Sequence, residues 1–439
     1  MLKNIFRIVI IILMLVGIIL GVGISIKRHS LGIGNNSIEK NIYQKVQSKP
    51  AEIVNYYTYG KAFNIKGKLT NVSKDNFESI KLIITDGMDY ERTYDLNYNF
   101  EENNILFESN TEINSGIKLD ELGSNEYYVL IRLKLNNSYE AKYYSFANNT
   151  KYQNIDYYTM TKEGEANRKA SIIFDKVEYS GSEYSFLKIK MEDTTLPDDV
   201  YDIVIDAGHG GSDKGENSGA YTEADIALDY AKELKNKLES MGYKVKLTRD
   251  DSNSASYNFV NMYDSNGRIT TACATKAKLM ISFHIVNGPK NITGFEVNTA
   301  SNLNYEFAKA LANNINANTN FNFSNNNSFK VADGVYTRTF SKMEISSMAA
   351  TAKKKGYEPY QIEEGTTYLY TIREVGGIAT RAYVDGRNTA YSKNIYYDYN
   401  QGVECYEVDL GYIKTDLNTI LENKSEVVNV IGDTIKNNY

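Results

Sequence analysis

The sequence predicts an α/β domain with a mostly parallel sheet in its C-terminal part, preceded by an all-β, sandwich-like region and a single transmembrane helix. Three observations carry this. The run from Ile8 to Ile26 is apolar and uncharged. From about Ala51 to Met191 short runs alternate apolar and polar residues with a period of two. From Tyr201 onward, strand-like runs alternate with helical patterns, the signature of βαβ units.

At 1.5 Å per residue the Ile8–Ile26 run spans roughly 28 Å as a helix, close to the apolar thickness of a bilayer. Lys3 and Arg7 precede it and Lys27, Arg28 and His29 follow. The run is longer than a secretory h-region and no small-x-small site closes it, which favours an uncleaved signal anchor over residues 1–28. The expectation is a single-pass protein of the cell membrane with its body outside; secretion after signal cleavage is the alternative. Residues 29–50 read as a polar spacer.

The runs Phe63–Val72, Ile80–Gly87, Tyr127–Leu135 and Ser185–Met191 predict strands separated by Asn, Gly, Ser and Asp. Region 51–191 contains no histidine or cysteine and shows no catalytic constellation; it reads as a spacer or wall-binding module. Residues 192–200, polar and with one of the four prolines, read as a linker to a domain over 201–439. There, Tyr201–Asp206, Tyr243–Thr248, Leu279–His284 and Cys405–Ile413 predict strands. Thr222–Gly242 predicts a helix, because Ala227, Tyr230, Ala231, Leu234, Leu238 and Met241 share one face and Thr222 is a good N-cap. Further helices are expected around Gly267–Lys278, around Phe307–Ile315 and over Asp416–Lys436.

Composition narrows the function. The chain has 439 residues, 49 Lys plus Arg against 55 Asp plus Glu, and a net charge of −6. No basic domain argues for nucleic acid. Two cysteines, Cys273 and Cys405, exclude a disulfide framework and a Cys-rich zinc module. Only three histidines are available for any metal site.

Two of them occupy equivalent places. His209 follows a strand within the Gly-rich turn Gly208–Gly211, and His284 ends another strand. Ligands gather at the carboxyl ends of strands in open α/β sheets. Glu223 opens the following helix and can turn back to the same edge. Two imidazoles and a carboxylate are a standard catalytic zinc set with one position left for water.

IDAGHGG (Ile205–Gly211), Glu223 within YTEADIAL and SFH (Ser282–His284) resemble the metal-binding motifs of zinc-dependent N-acetylmuramoyl-L-alanine amidases of the amidase-3 family. The resemblance runs in the right order from about Tyr201 to the C-terminus. It implies a Zn2+ held by His209, Glu223 and His284, peptidoglycan as substrate, and cleavage of the amide between N-acetylmuramic acid and L-alanine. Thr248–Asp250 and Arg268 sit where the family often has similar residues. Two departures stand out. Asn287 falls one place late for the family's His-x-Asn. VDLGYI also puts Asp409 where the family has its catalytic glutamate, leaving Asp409 as the expected catalytic residue, one methylene shorter. Glu407 and Glu374 are weaker substitutes.

A long insert, about residues 321–401, is expected to wall the cleft, with a short helix over Ile345–Gly356. Two other readings remain: a catalytically impaired wall-binding or regulatory protein, motivated by Asp409, and a zinc peptidase acting on another peptide bond.

Overall fold

A computed structural model describes residues 45–439 except 110–111, 137, 148–154, 156, 252–265, 357–363 and 377–400, together with Ile42. The apolar run Ile8–Ile26, most of the spacer and part of the insert lie outside the described residues. Among the described residues no helix is long and apolar enough to cross a membrane.

The N-terminal body is all β: β1 (Val46–Tyr59), β2 (Ala62–Thr70), β3 (Phe77–Thr85), β4 (Glu91–Asp95), β5 (Asn97–Glu101), β6 (Asn104–Glu108), β7 (Ile117–Lys118), β8 (Asn125–Leu135), β9 (Lys142–Phe146), β10 (Tyr157–Tyr158), β11 (Asn167–Tyr179) and β12 (Ser182–Thr194). Its first strand is shared between two sheets. Val46–Ala51 pair in parallel with β9, with a register shift between Gln47 and Ala51, and Glu52–Tyr59 pair antiparallel with β2, with another between Ile53 and Asn55. Period-two alternation turns Ile80, Leu82 and Ile84 of β3, Val129 and Ile131 of β8, and Phe63 and Ile65 of β2 into one core. The strand β12 runs to Thr194, three residues into the segment read as linker.

The C-terminal body contains β13 (Ile203–Ala207), β14 (Asn217–Ser218), β15 (Tyr221–Thr222), α1 (Glu223–Ser240), β16 (Val245–Leu247), α2 (Arg268–Ala274), β17 (Leu279–Val286), β18 (Glu296–Asn298), α3 (Glu306–Asn318), β19 (Lys330–Ala332), β20 (Val335–Tyr336), α4 (Lys342–Lys355), α5 (Tyr370–Val375), β21 (Gln401–Gly402), β22 (Glu404–Tyr412), α6 (Leu417–Glu422) and α7 (Lys424–Asn438). Seven strands form one sheet in the order β16-β13-β17-β22-β18-β20-β19.

That sheet is mixed, not mostly parallel. β16, β13, β17 and β22 run in parallel, but β18 is antiparallel to β22 and β19 to β20. The cause is loop length: only residues 287–295 separate β17 from β18, too few for a helical crossover. The expected C-terminal helix is also two helices, broken at Asn423, whose side-chain amide donates to the Thr419 carbonyl at 2.9 Å.

Helices cover both faces of the sheet. Residues of α1, α3 and α7 pack with Ile203, Ile205, Ile281, Phe283, Tyr406 and Val408 on one side. Residues of α2 and α5 pack with Val204, Met280 and Cys405 on the other. On this second face each central strand turns polar toward its carboxyl end: Val204 gives way to Asp206, Met280 to Ser282 and His284, Cys405 to Glu407 and Asp409. The two bodies are joined. β21 pairs in parallel with Thr58 and Tyr59 at the end of β1, and Gly60 N–H donates to the Gly402 carbonyl at 2.9 Å. Glu404, buried at the start of β22, accepts from Asn114 at 2.9 Å and from the Tyr439 hydroxyl at 3.1 Å.

Candidate metal centre

His209, Glu223 and His284 converge, each offering one ligand atom, with all three atoms within 4.8 Å of one another. His209 Nε2 is 3.1 Å and His284 Nδ1 3.0 Å from the same Glu223 Oε1. The cluster sits at the carboxyl edge of β13 and β17. His284 is two residues short of the end of β17 rather than its last residue.

Local structure explains each placement. His209 adopts a left-handed φ of 58° between β13 and the β14–β15 hairpin, which turns its ring back over the sheet edge. Gly208 is required by proximity: a Cβ there would lie 2.5 Å from His284 Cε1. Gly215 has φ 61°, and its Cβ would lie 2.5 Å from Glu223 Oε2. Glu223 is the first residue of α1. Thr222 caps that helix by accepting from Asp225 N–H at 3.2 Å. Glu223 is only 2% exposed and also accepts from Ile285 N–H at 2.9 Å and Glu216 N–H at 3.0 Å.

Charge follows from these contacts. Burial opposes ionisation of Glu223, but hydrogen bonds from both histidines outweigh it and hold the carboxyl far below its usual range. Burial would likewise pull His284 down, yet Glu407 and Glu223 overcome it and push the imidazole up to about 9. His209 is raised despite burial, mainly by its bond to Glu223. A divalent cation would displace the protons that Glu223 favours on these rings, and two imidazoles beside a fixed carboxylate are a donor set suited to it, so the three residues could hold a metal ion.

Supporting residues that the sequence reading did not assign surround the cluster. Asp213 Oδ2 lies 2.9 Å from His209 Nδ1, fixing which ring nitrogen faces Glu223. Asp206 is fully buried, takes Arg268 Nη1 at 3.0 Å on both oxygens, and accepts from Thr248 at 2.6 Å and Ser282 at 2.7 Å. Arg268 Nη2 also donates to the His209 carbonyl at 2.6 Å. Arg249 donates to the carbonyls of Ala207, Gly208 and Ala224 at 2.7–2.9 Å, clamping the His209 loop to α1. The Thr248-Arg249 pair and Arg268 were legible as motif residues, but their role is support: Arg249 holds backbone, Thr248 holds the Asp206 carboxylate, and Arg268 holds both. The spacing of Asp213, four residues after His209 in a glycine-bounded loop, was its available signal.

Asp409 is outside the three-ligand cluster but is the direct register partner of His284 on the neighbouring strand. It is 1% exposed, and burial, with Glu407 nearby, pushes it up to about 8 against the opposing pull of Arg338. Its Oδ2 accepts from Asn298 at 2.8 Å. Glu407, two residues back on the same face, approaches His284 Nε2 to 3.9 Å. Glu374 is buried on α5 and pairs with Arg373 at 3.1 Å. Asn287 is exposed beyond the end of β17. In the insert, α4 runs from Lys342 to Lys355 behind a Ser341–Glu344 capping box, slightly longer than expected.

Relatives can be compared with this geometry. The uncharacterized protein YqiI of Bacillus subtilis is 26% identical over 166 residues, 36% of this chain and 77% of that protein. The probable cell wall amidase LytH of Staphylococcus aureus is 50% identical over 52 residues, 11% of this chain and 18% of LytH, so the match spans less than a fifth of that relative. Among solved structures, the N-acetylmuramoyl-L-alanine amidase AmiC2 of Nostoc punctiforme is 19% identical and aligns with 53% of this chain and 93% of its own, at a TM-score of 0.34. The family model described as N-acetylmuramoyl-L-alanine amidase matches residues 203–357, which include His209, Glu223 and His284. Residues 203–357 of this chain thus carry a match to the amidase-3 family, whose members are typically metal-dependent.

Proposed function

We propose that the protein is a zinc-dependent peptidoglycan hydrolase that cleaves the amide between N-acetylmuramic acid and L-alanine. The observation that carries this is the convergence of His209, Glu223 and His284 within 4.8 Å at the carboxyl edge of the sheet, inside the segment matched by the family. The chemistry zinc supplies when bound is Lewis-acid activation of water and of the amide carbonyl near neutral pH.

The residues of the chain do the rest. His209, Glu223 and His284 hold the ion, and Asp213 fixes the tautomer of His209. Asp409, with its Oδ1 buried and without a hydrogen-bond partner among the described residues, takes a proton from the attacking water. It returns that proton to the departing amide nitrogen. The C–N bond breaks, leaving a lactyl carboxylate on the glycan and a free L-alanine amino terminus on the peptide. The apolar run Ile8–Ile26 supports attachment to the cell membrane with both bodies outside, where peptidoglycan lies; export after cleavage of that run is the alternative.

The test is product analysis by mass after incubating the purified full chain, in detergent with added zinc, with muropeptides. Free stem peptide beginning at L-alanine is expected, and His209→Ala and His284→Ala should each abolish it. Cleavage within the stem peptide would instead make the protein a zinc peptidase. A second reading, an impaired wall-binding protein, draws on Asp409 in place of the family's glutamate. Zinc bound at about one per chain without turnover, with activity appearing in Asp409→Glu, would favour it.

A further inference from the structure

The carboxylate of Asp409 is held from the side facing away from His284. Strand β18 runs antiparallel to β22, setting Glu296 opposite Asp409 and Asn298 opposite Glu407. From there Asn298 Nδ2 donates to Asp409 Oδ2 at 2.8 Å. The amide oxygen of Asn298 accepts from Arg338 Nε at 3.0 Å. Arg338 Nη2 lies 3.7 Å from the same Asp409 Oδ2 and pairs with Glu296, whose other oxygen accepts from the Tyr412 hydroxyl at 2.6 Å. Asn298 and Glu296 are fully buried, and the Arg338 side chain is 15% exposed. The arrangement is one-sided: Oδ2 is engaged, while Oδ1 is buried and has no hydrogen-bond partner among the described residues.

We propose that Asn298 and Arg338 are positioning residues for the reaction, tying Oδ2 of Asp409 to β18 so that Oδ1 alone is presented for proton transfer. The inference rests on the amidase reading above. The terminal torsion of an aspartate is broad, so an untethered carboxylate samples many orientations. A general base must reach its proton within about 2.6–3.2 Å, directly or through one water. An aspartate reaches one methylene less far than the glutamate it replaces and cannot swing to compensate. Fixing its plane through Asn298 restores a defined direction. Arg338 orients the Asn298 amide by donating to its oxygen, which forces the NH2 group toward Asp409. Arg338 lies just beyond β20, within the insert, so the insert contributes through this residue to the geometry of the reacting edge.

The experiment measures muropeptide hydrolysis by the full zinc-loaded chain and its Asn298→Ala, Arg338→Ala, Arg338→Lys and Asp409→Asn variants, with zinc stoichiometry and thermal midpoint for each. A positioned general base contributes roughly 10²–10⁴-fold, and losing its orientation should forfeit about ten- to a hundredfold of kcat. KM should stay within about twofold and zinc stoichiometry should not change. Arg338→Lys, which keeps the charge but not the fork, should recover part of the rate. In an Asp409→Asn background, Asn298→Ala should lower the residual rate no further, because residues acting as a unit are not additive. Arg338→Ala removes the partner of buried Glu296; if it fails to fold, Asn298→Ala, which spares that ion pair, decides the matter. An active wild type, an inactive Asp409→Asn and an unimpaired Asn298→Ala would overturn the inference and leave the amidase reading standing. Additive losses in the Asp409→Asn background would overturn it as well, reducing the pair to a structural role. No amide cleavage by the wild type would overturn both.

Discussion

Removal of Arg268 offers a quantitative test of how the His209 loop is held. Arg268 is 1% exposed and Asp206 is fully buried. Burial alone would push Asp206 up, but Arg268, Thr248 and Ser282 hold it below its usual carboxylate range, so it is charged at neutral pH. Arg268→Met keeps much of the volume and removes the countercharge. Breaking a buried pair by deleting one partner costs about 3–5 kcal/mol, because the remaining ion stays desolvated. Asp206 keeps two hydroxyl donors, at 2.6 and 2.7 Å, which places the expected loss near the lower end, about 3 kcal/mol. That is a large part of the roughly 5–15 kcal/mol that stabilises a typical domain. Urea unfolding followed by helical circular dichroism reads it, since α1 to α7 all belong to the C-terminal body. Asp206→Asn added to Arg268→Met should recover much of the loss by removing the stranded charge. A second readout is metal affinity. Arg268 also holds the His209 carbonyl at 2.6 Å, and outer contacts of this kind are worth about ten- to a hundredfold in binding. A loss under about 1 kcal/mol, or a double variant no better than the single one, would refute the claim that this pair secures the loop.

Three further outcomes are expected. The folded-state value of Asp409, about 8, lies above that of an unfolded aspartate, so its ionisation opposes folding increasingly as pH rises from about 4 to 8. Metal-free Asp409→Asn should therefore gain thermal stability over the wild type progressively between pH 5 and 8 and level off above, while losing hydrolysis; a pH-independent difference would contradict this. Burial pushes the Cys273 thiol up to about 12 and raises Cys405 too, so neither should react with a disulfide reagent at pH 8 until the protein is unfolded, when two thiols should appear. Gly215→Ala places a Cβ against the Glu223 carboxylate at a positive φ, and should cost about 1 kcal/mol or more of stability and at least about tenfold in metal affinity, read by equilibrium dialysis.

Much of this site could be read from the chain because its chemistry sits on periodic elements. Alternation in LMISFH and CYEVDL separates the residues that enter the core from those that line the site, and the polar ones fall toward the carboxyl edge. The Gly-rich turn after β13 and the cap before α1 are local signals that aim His209 and Glu223. What escaped sequence reasoning depends on contacts between distant segments. Asp206 reads as an ordinary strand-end residue until Arg268, 62 positions later, folds over it. The antiparallel placement of β18 depends on which strand its short loop lets it reach, and no periodicity encodes that. Asn298 and Arg338 have no motif of their own; their relation to Asp409 arises only when β18 docks beside β22.

The strand that carries Asp409 begins at a seam. Just before it, Gln401 and Gly402 extend the sheet of the N-terminal body, and Glu404 is clasped by Asn114 from one body and Tyr439 from the other. Tyr59 fills the same core as Met280 and Cys405, and Met160 joins the core on the opposite face of the sheet. Severing the chain near residue 200 to make a minimal enzyme would unroof Cys405 and leave the Glu404 carboxyl facing a vacated surface. The N-terminal body is thus a foundation on which the reacting edge is built, and hinge-like swinging of one body against the other would require tearing out the root of β22.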